Sequence, residues 1–129
     1  MSAVLRLLAL LFCIITITDS FPCKIIVRVT SKTEKKFKAL VIVPSIGIRS
    51  EPMIFQGKST KKIKVHGEDC AKKPWIIRTY KWKDDEWKPA KNMTAKLQGN
   101  GWMRVVVGDN LMPVAGERFG VICSEGLCG

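Results

Sequence analysis

From Lys24 onward, apolar residues recur at every second position of the chain. Ile25, Val27 and Val29 alternate with Lys24, Arg28 and Thr30, Phe37 sits between Lys36 and Lys38, and Ile63 and Val65 sit among Lys62, Lys64 and His66. Successive side chains of a strand point to opposite faces, so this period of two describes strands with one buried and one wet side. No window sustains the three-four spacing of an amphipathic helix. The pattern predicts an all-β domain.

The first strand is expected over 24–30, with Ile26 breaking the alternation and implying partial cover on the outer side. A polar turn over 31–35 leads to a second strand over 36–43, stopped by Pro44. Short strands follow at 53–55 and 60–66, and a longer β-type run covers 75–83. Asp84 and Asp85 form a two-residue turn candidate that would set Trp82 opposite Trp87 as a cross-strand pair. Gly99, Asn100 and Gly101 read as a further turn before a strand over 102–107, and 108–110 as the last turn before a strand over 117–123. The spacing fits a single small antiparallel β-sandwich, or partly closed barrel, of about seven to eight strands.

Upstream of these strands the pattern changes. Arg6 precedes an apolar run from Leu7 to Ile17, followed by Thr18, Asp19 and Ser20. This is the layout of a secretory signal peptide, and its apolar run is well short of the ~20 residues a transmembrane helix needs. Cleavage before Phe21 would leave a secreted domain over 21–129, and no later stretch is apolar enough to span a bilayer.

Export changes how the cysteines are read. Cys13 would leave with the leader, and Cys23, Cys70, Cys123 and Cys128 remain as an even set. Two disulfides are expected, with three possible connectivities. Bridges closing loops of tens of residues would each add about 3 to 4 kcal/mol in the chain-entropy model. The spacing lacks the close pairs of a zinc site and the Cys-x-x-Cys of a redox site, so no metal is expected.

The formal net charge is +11 at pH 7. From Lys24 through Lys96 there are 19 basic residues against 7 acidic ones, so the positive field belongs to the first two thirds of the domain. Three pairs alternate with apolar neighbours, namely Lys36 and Lys38, Lys62 and Lys64, and Lys81 and Lys83 around Trp82. On neighbouring strands they would form one cationic sheet face, although lysines also guard sheets against edge-to-edge aggregation. Tyr80, Trp82 and Trp87 near Lys81, Lys83 and Lys88 resemble the stacking sets that read single-stranded nucleic acid. Outside the cell, nucleic acid is the least expected partner, and aromatics at strand spacing are more often core.

Catalytic chemistry is thin. His66 is the one histidine, no serine lies in a Gly-x-Ser-x-Gly elbow, and Asp84, Asp85 and Glu86 crowd a turn instead of facing one another across a cleft. No catalytic residue and no cofactor is assigned. Asn92, Met93 and Thr94 form a glycosylation sequon. The expected function is a secreted, non-catalytic module that binds an acidic extracellular surface or polymer, whether a sulfated glycan, anionic lipid headgroups or a microbial envelope polymer, through the six lysines. The alternative is a carrier of a small apolar ligand using Trp75, Trp82, Trp87 and Trp102. A small hydrolase built on His66 has the least support.

Overall fold

The computed structural model describes residues 21–128. The leader and Cys13 lie outside the described residues. The chain forms eight strands: β1 (Pro22–Ser31), β2 (Lys36–Val43), β3 (Ile48–Arg49), β4 (Met53–Gln56), β5 (Ser59–Glu68), β6 (Trp75–Lys83), β7 (Glu86–Val107) and β8 (Pro113–Ser124). One 3-10 turn, Pro44–Ile46, follows β2 where proline ends the strand. Among the described residues no helix is long and apolar enough to cross a membrane.

The strands make one curled mixed sheet, a half-barrel, in the order β3-β2-β6-β7-β1-β5, with β4 also on β2 and β8 also on β7. Its spine is the 22-residue β7. The first part of β7 pairs with β6, and the second part lies between β1 and β8. The sheet therefore has a first half of β2, β3, β4, β6 and early β7, and a second half of β1, β5, late β7 and β8.

Strand parity sorts the side chains. Ile25, Val27 and Val29 of β1, Phe37, Ala39, Val41 and Val43 of β2, Phe55 of β4, Val65 of β5, Trp75 and Ile77 of β6, and Met93, Leu97, Met103, Val105 and Val107 of β7 all point into one core. Phe37 and Phe55 stack within it with ring centroids 4.6 Å apart. Fully burying one such side chain stabilises by roughly 1.5–3 kcal/mol relative to exposure. Even-numbered positions of β1, β2 and β6, and of β7 from Asn92 onward, face outward, whereas the register shift beside Arg78 reverses the parity of early β7 and puts Trp87 and Pro89 on that face. Leu40, opposite Arg78 on the same face, is nevertheless buried.

The all-β class, the strand count and the two disulfides are as the sequence predicts. Cys23 bonds Cys70, which pins the start of β1 to the loop after β5, and Cys123 bonds Cys128 at the end of β8. The second bridge corrects the expectation of long loops, because its cysteines are only 5 positions apart.

Two further details differ. β1 and β7 run parallel, so the sheet is mixed. Gly99–Gly101 is no turn, because β7 continues through it and the register against β8 slips there. A Cβ at Gly101 would lie 1.8 Å from the Phe119 carbonyl oxygen, and Gly120 (φ 72°) has its own missing Cβ 2.2 Å from the Asn100 oxygen. Glycine serves here for close approach of two backbones at a bulge instead of chain reversal.

Candidate functional site

The outer face of the first half of the sheet carries the densest arrangement of functional side chains. Asp84 and Asp85 both have positive φ, 55° and 58°, which a type I′ turn requires, so β6 and β7 reverse tightly and Trp82 faces Trp87. The two indoles meet edge to face at 4.9 Å. Lys38 of β2 lies opposite Tyr80 of β6, which places both strands' even positions on the same surface.

The lysines use the aromatic rings as supports. The Lys36 ammonium stands 4.2 Å from the Trp82 centroid and 5.6 Å from that of Trp87. Lys38 stands 4.5 Å from Tyr80 and 5.2 Å from Trp87. Attraction to the ring quadrupole holds a cation in place without neutralising it, so its charge stays available to a ligand.

Farther along the same face, Arg78 donates from Nε to Asn92 Oδ1 at 3.0 Å. The Arg78 guanidinium, first as hydrogen-bonding partner and then as charge, holds the Tyr80 phenol below its ordinary pKa. Partial burial opposes this, whereas Arg49 and Lys38 act with Arg78. Tyr80 thus reports a local positive potential. A bulge between Arg78 and Tyr80 displaces Pro89–Asn92 and opens a shallow depression lined by Arg78, Tyr80, Pro89 and Asn92. Thr79, on the buried side, fixes the bulge by accepting from Lys91 N at 3.2 Å and donating to Leu111 O at 2.7 Å.

Among the described residues, no carboxylate forms an ion pair with this cluster. The ion pairs among the described residues join Lys72 to Asp69, Lys88 to Asp84 and Glu86, Lys96 to Glu125, and Arg104 to Glu117. Lys36, Lys38, Arg49 and Arg78 are in none of them.

The six lysines singled out from sequence do not all share this surface. Lys36 and Lys38 belong to it. Lys62 and Lys64 are exposed on β5, at the far edge of the sheet order. Lys81 and Lys83 emerge on the opposite side of β6, because Trp75, Ile77 and Thr79 set the buried phase of that strand and the lysines continue it past the core rim. Trp82 was expected to point inward between them, and it points outward instead.

The tryptophans do not enclose a common space. Trp75 is sealed in the core, with Nε1 donating to Cys70 O at 3.0 Å. Trp82, 40% exposed, and Trp87 lie on the outer face just described, while Trp102 lies on the second half beneath Arg28. His66 is exposed on β5 opposite Lys24, and Ser45 and Ser50 are engaged with the backbone at Cys70 O and Val41 N. Asn92 is exposed, as its sequon requires.

Arg49 and Arg78 were not picked out from the sequence. The available signal was parity: counting back by two from Trp82 through Tyr80 gives Arg78 on the same face. Arg49 had no such signal, since it reaches the face only because β3 folds back onto β2. In comparisons with family models, curated proteins and solved structures, nothing matches the chain.

Proposed function

We propose that the protein is a secreted, non-catalytic binding module for an acidic extracellular polymer, held on the outer face of β2, β6 and early β7. The observation that carries this reading is the pair Lys36 and Lys38, propped on Trp82, Trp87 and Tyr80 with no carboxylate partner. Arg49 and Arg78 extend the row of cations around Tyr80. Carboxylates or sulfates along a polymer meet these groups, and the exposed indole of Trp82 offers apolar surface to a sugar ring. An anionic glycan satisfies both features.

Secretion is part of the proposal and rests on the leader pattern together with two disulfides, which persist in oxidising compartments. A glycan attached at Asn92 would adjoin Arg78 on this face and leave Lys36 and Lys38 as its open part.

The test is retention on an immobilised sulfated glycan and on neutral dextran across a salt series. Exposed charges are screened over ~8 Å at physiological ionic strength, so retention on the sulfated matrix falls as salt rises. Lys36→Glu with Lys38→Glu elutes at clearly lower salt than the parent protein. Retention indifferent to salt, or unchanged in that double variant, refutes the reading.

A further inference from the structure

The outer face of the second half has a different character. Its register sets Ile26 of β1 opposite both Lys64 of β5 and Trp102 of β7, sets Arg28 opposite both Lys62 and Arg104, and sets Phe119 of β8 opposite Trp102. These side chains share one surface. Phe119 is 71% exposed, Ile122 70% and Val114 49%, all on β8.

The surface is divided lengthwise. On the β8 side, Val114, Phe119 and Ile122 form an apolar strip, continued inward by Trp102, which is half-buried against its neighbours. On the β1 and β5 side, Lys24, Arg28, Lys62 and Lys64 form a cationic strip, and none of them is in an ion pair among the described residues. Arg28 joins the strips, with its guanidinium 4.8 Å from the Trp102 centroid. Glu117 stands between Val114 and Phe119 on β8, where its charge is bridged to Arg104 at 3.2 Å, and Glu68 lies at the end of β5.

Phe119 is not on this surface by default of packing. The glycine bulge at Gly101 and Gly120 brings the β7 and β8 backbones together and sets Phe119 in register with Trp102 on the outside. An exposed phenyl and an exposed isoleucine on one strand, next to a half-buried tryptophan, make a clustered apolar patch of the kind that marks interaction surfaces.

From these observations we propose that this face docks on an anionic lipid bilayer, with Phe119 and Ile122 entering the headgroup region, Trp102 at the interface, and Lys24, Arg28, Lys62 and Lys64 on the acidic headgroups. Charge complementarity selects this occupant: a soluble polyanion would engage the lysines and gain nothing from Phe119 or Ile122, whereas an anionic bilayer engages both strips at once. Neither strip alone gives stable anchoring, since durable membrane attachment generally takes an apolar and an electrostatic signal together. The inference is independent of the glycan reading, which uses the other half of the sheet.

The test is co-sedimentation of the disulfide-bonded protein with vesicles of phosphatidylcholine alone, or mixed with phosphatidylserine, alongside sedimentation velocity without lipid. The protein pellets with the mixed vesicles and not with the neutral ones. Phe119→Ser with Ile122→Ser weakens this about tenfold or more, and Lys62→Glu with Lys64→Glu weakens it as well. Both double variants change exposed side chains, and unchanged circular dichroism verifies their folding. Lys36→Glu with Lys38→Glu still pellets, and soluble glycerophosphoserine does not compete. Failure of the parent protein to bind mixed vesicles overturns the proposal, as does undiminished binding of the Phe119, Ile122 variant. A parent dimer that this variant converts to monomer also overturns it, because the face would then belong to a second copy of the chain.

Discussion

Lys36 stands over Trp82 with its ammonium 4.2 Å from the ring centroid, although the two residues are 46 positions apart in sequence and on different strands. The contact depends on three local features acting together. The Asp84–Asp85 turn fixes the β6–β7 register, Phe37 and Phe55 bury the opposite side of β2, and Trp75 and Ile77 set the phase that turns Trp82 outward. The arrangement of this face is thus a by-product of correct core packing, and its geometry is tied to the stability of the sheet.

Replacing either partner therefore has both a stability and a binding signature. The Lys36–Trp82 coupling is expected at about 0.5–1 kcal/mol, the range for an exposed cation–π pair. A double-mutant cycle with Lys36→Met and Trp82→Val, read by denaturant unfolding, measures it. Trp82→Val also removes the edge-to-face contact with Trp87, worth about 0.5–1.5 kcal/mol beyond area burial. A coupling energy of zero would mean that the lysine is not held over the ring in solution.

Tyr80 supplies an internal probe of the same face. It is the one tyrosine in the chain, so tyrosinate absorbance during alkaline titration reads this residue alone. Its midpoint falls below the ordinary phenol value of about 10 because Arg78, Arg49 and Lys38 favour the phenolate. The linkage sign follows: a depressed folded pKa stabilises the fold above the unfolded value and contributes nothing below the folded midpoint, so Tyr80 adds no stability at neutral pH. Arg78→Gln moves the midpoint up, and a bound polyanion, by neutralising the same cations, moves it up in the parent protein.

Parity explains how much of this was readable beforehand. Strands 36–43 and 75–83 were legible because proline or turn residues bound them and apolar residues alternate within them. The Trp82–Trp87 pair was legible because a two-residue loop leaves one register. The face of Trp82 was misread, since an indole between lysines looks like core until Trp75 and Ile77 fix the phase. Gly99–Gly101 was misread as a turn because glycine serves equally for chain reversal and for close strand approach, and only β8 distinguishes them. The parallel pairing of β1 with β7 joins residues some 76 positions apart, such as Lys24 and Asn100, and no local pattern encodes it.

The two disulfides should differ in weight. Cys23–Cys70 spans 47 positions and Cys123–Cys128 spans 5. The chain-entropy model gives about 4 kcal/mol for the first and about 2 kcal/mol for the second. Cys23 and Cys70 are also both buried in the core, so Cys23→Ala with Cys70→Ala loses packing as well. Denaturant unfolding of the two paired-alanine variants is expected to show the larger loss for the first pair. Equal losses would place the weight in strand pairing around β8 instead of in loop closure.

The N-terminal edge gives a prediction about processing. Phe21 N donates to Asp69 Oδ1 at 3.2 Å, while Asp69 N donates to Phe21 O at 2.8 Å and Gln98 Nε2 reaches the same oxygen at 3.3 Å. Were the chain cut between Ser20 and Phe21, the donor at Phe21 would become an α-ammonium beside the Asp69 carboxylate, converting a neutral hydrogen bond into a charged one. The site is exposed, with Phe21 68% accessible, so the gain is small, about 0–1 kcal/mol. Intact mass of protein collected from the medium of a secretory host is expected to match a chain starting at Phe21 with two disulfides. Asp69→Asn should lower the stability of that product by more than it lowers that of a product acetylated at its N-terminus, in which only the exposed pair with Lys72 is lost. A secreted chain starting elsewhere, or an Asp69→Asn effect that acetylation does not reduce, would detach this contact from cleavage and leave Asp69 as an ordinary turn residue at the end of β5.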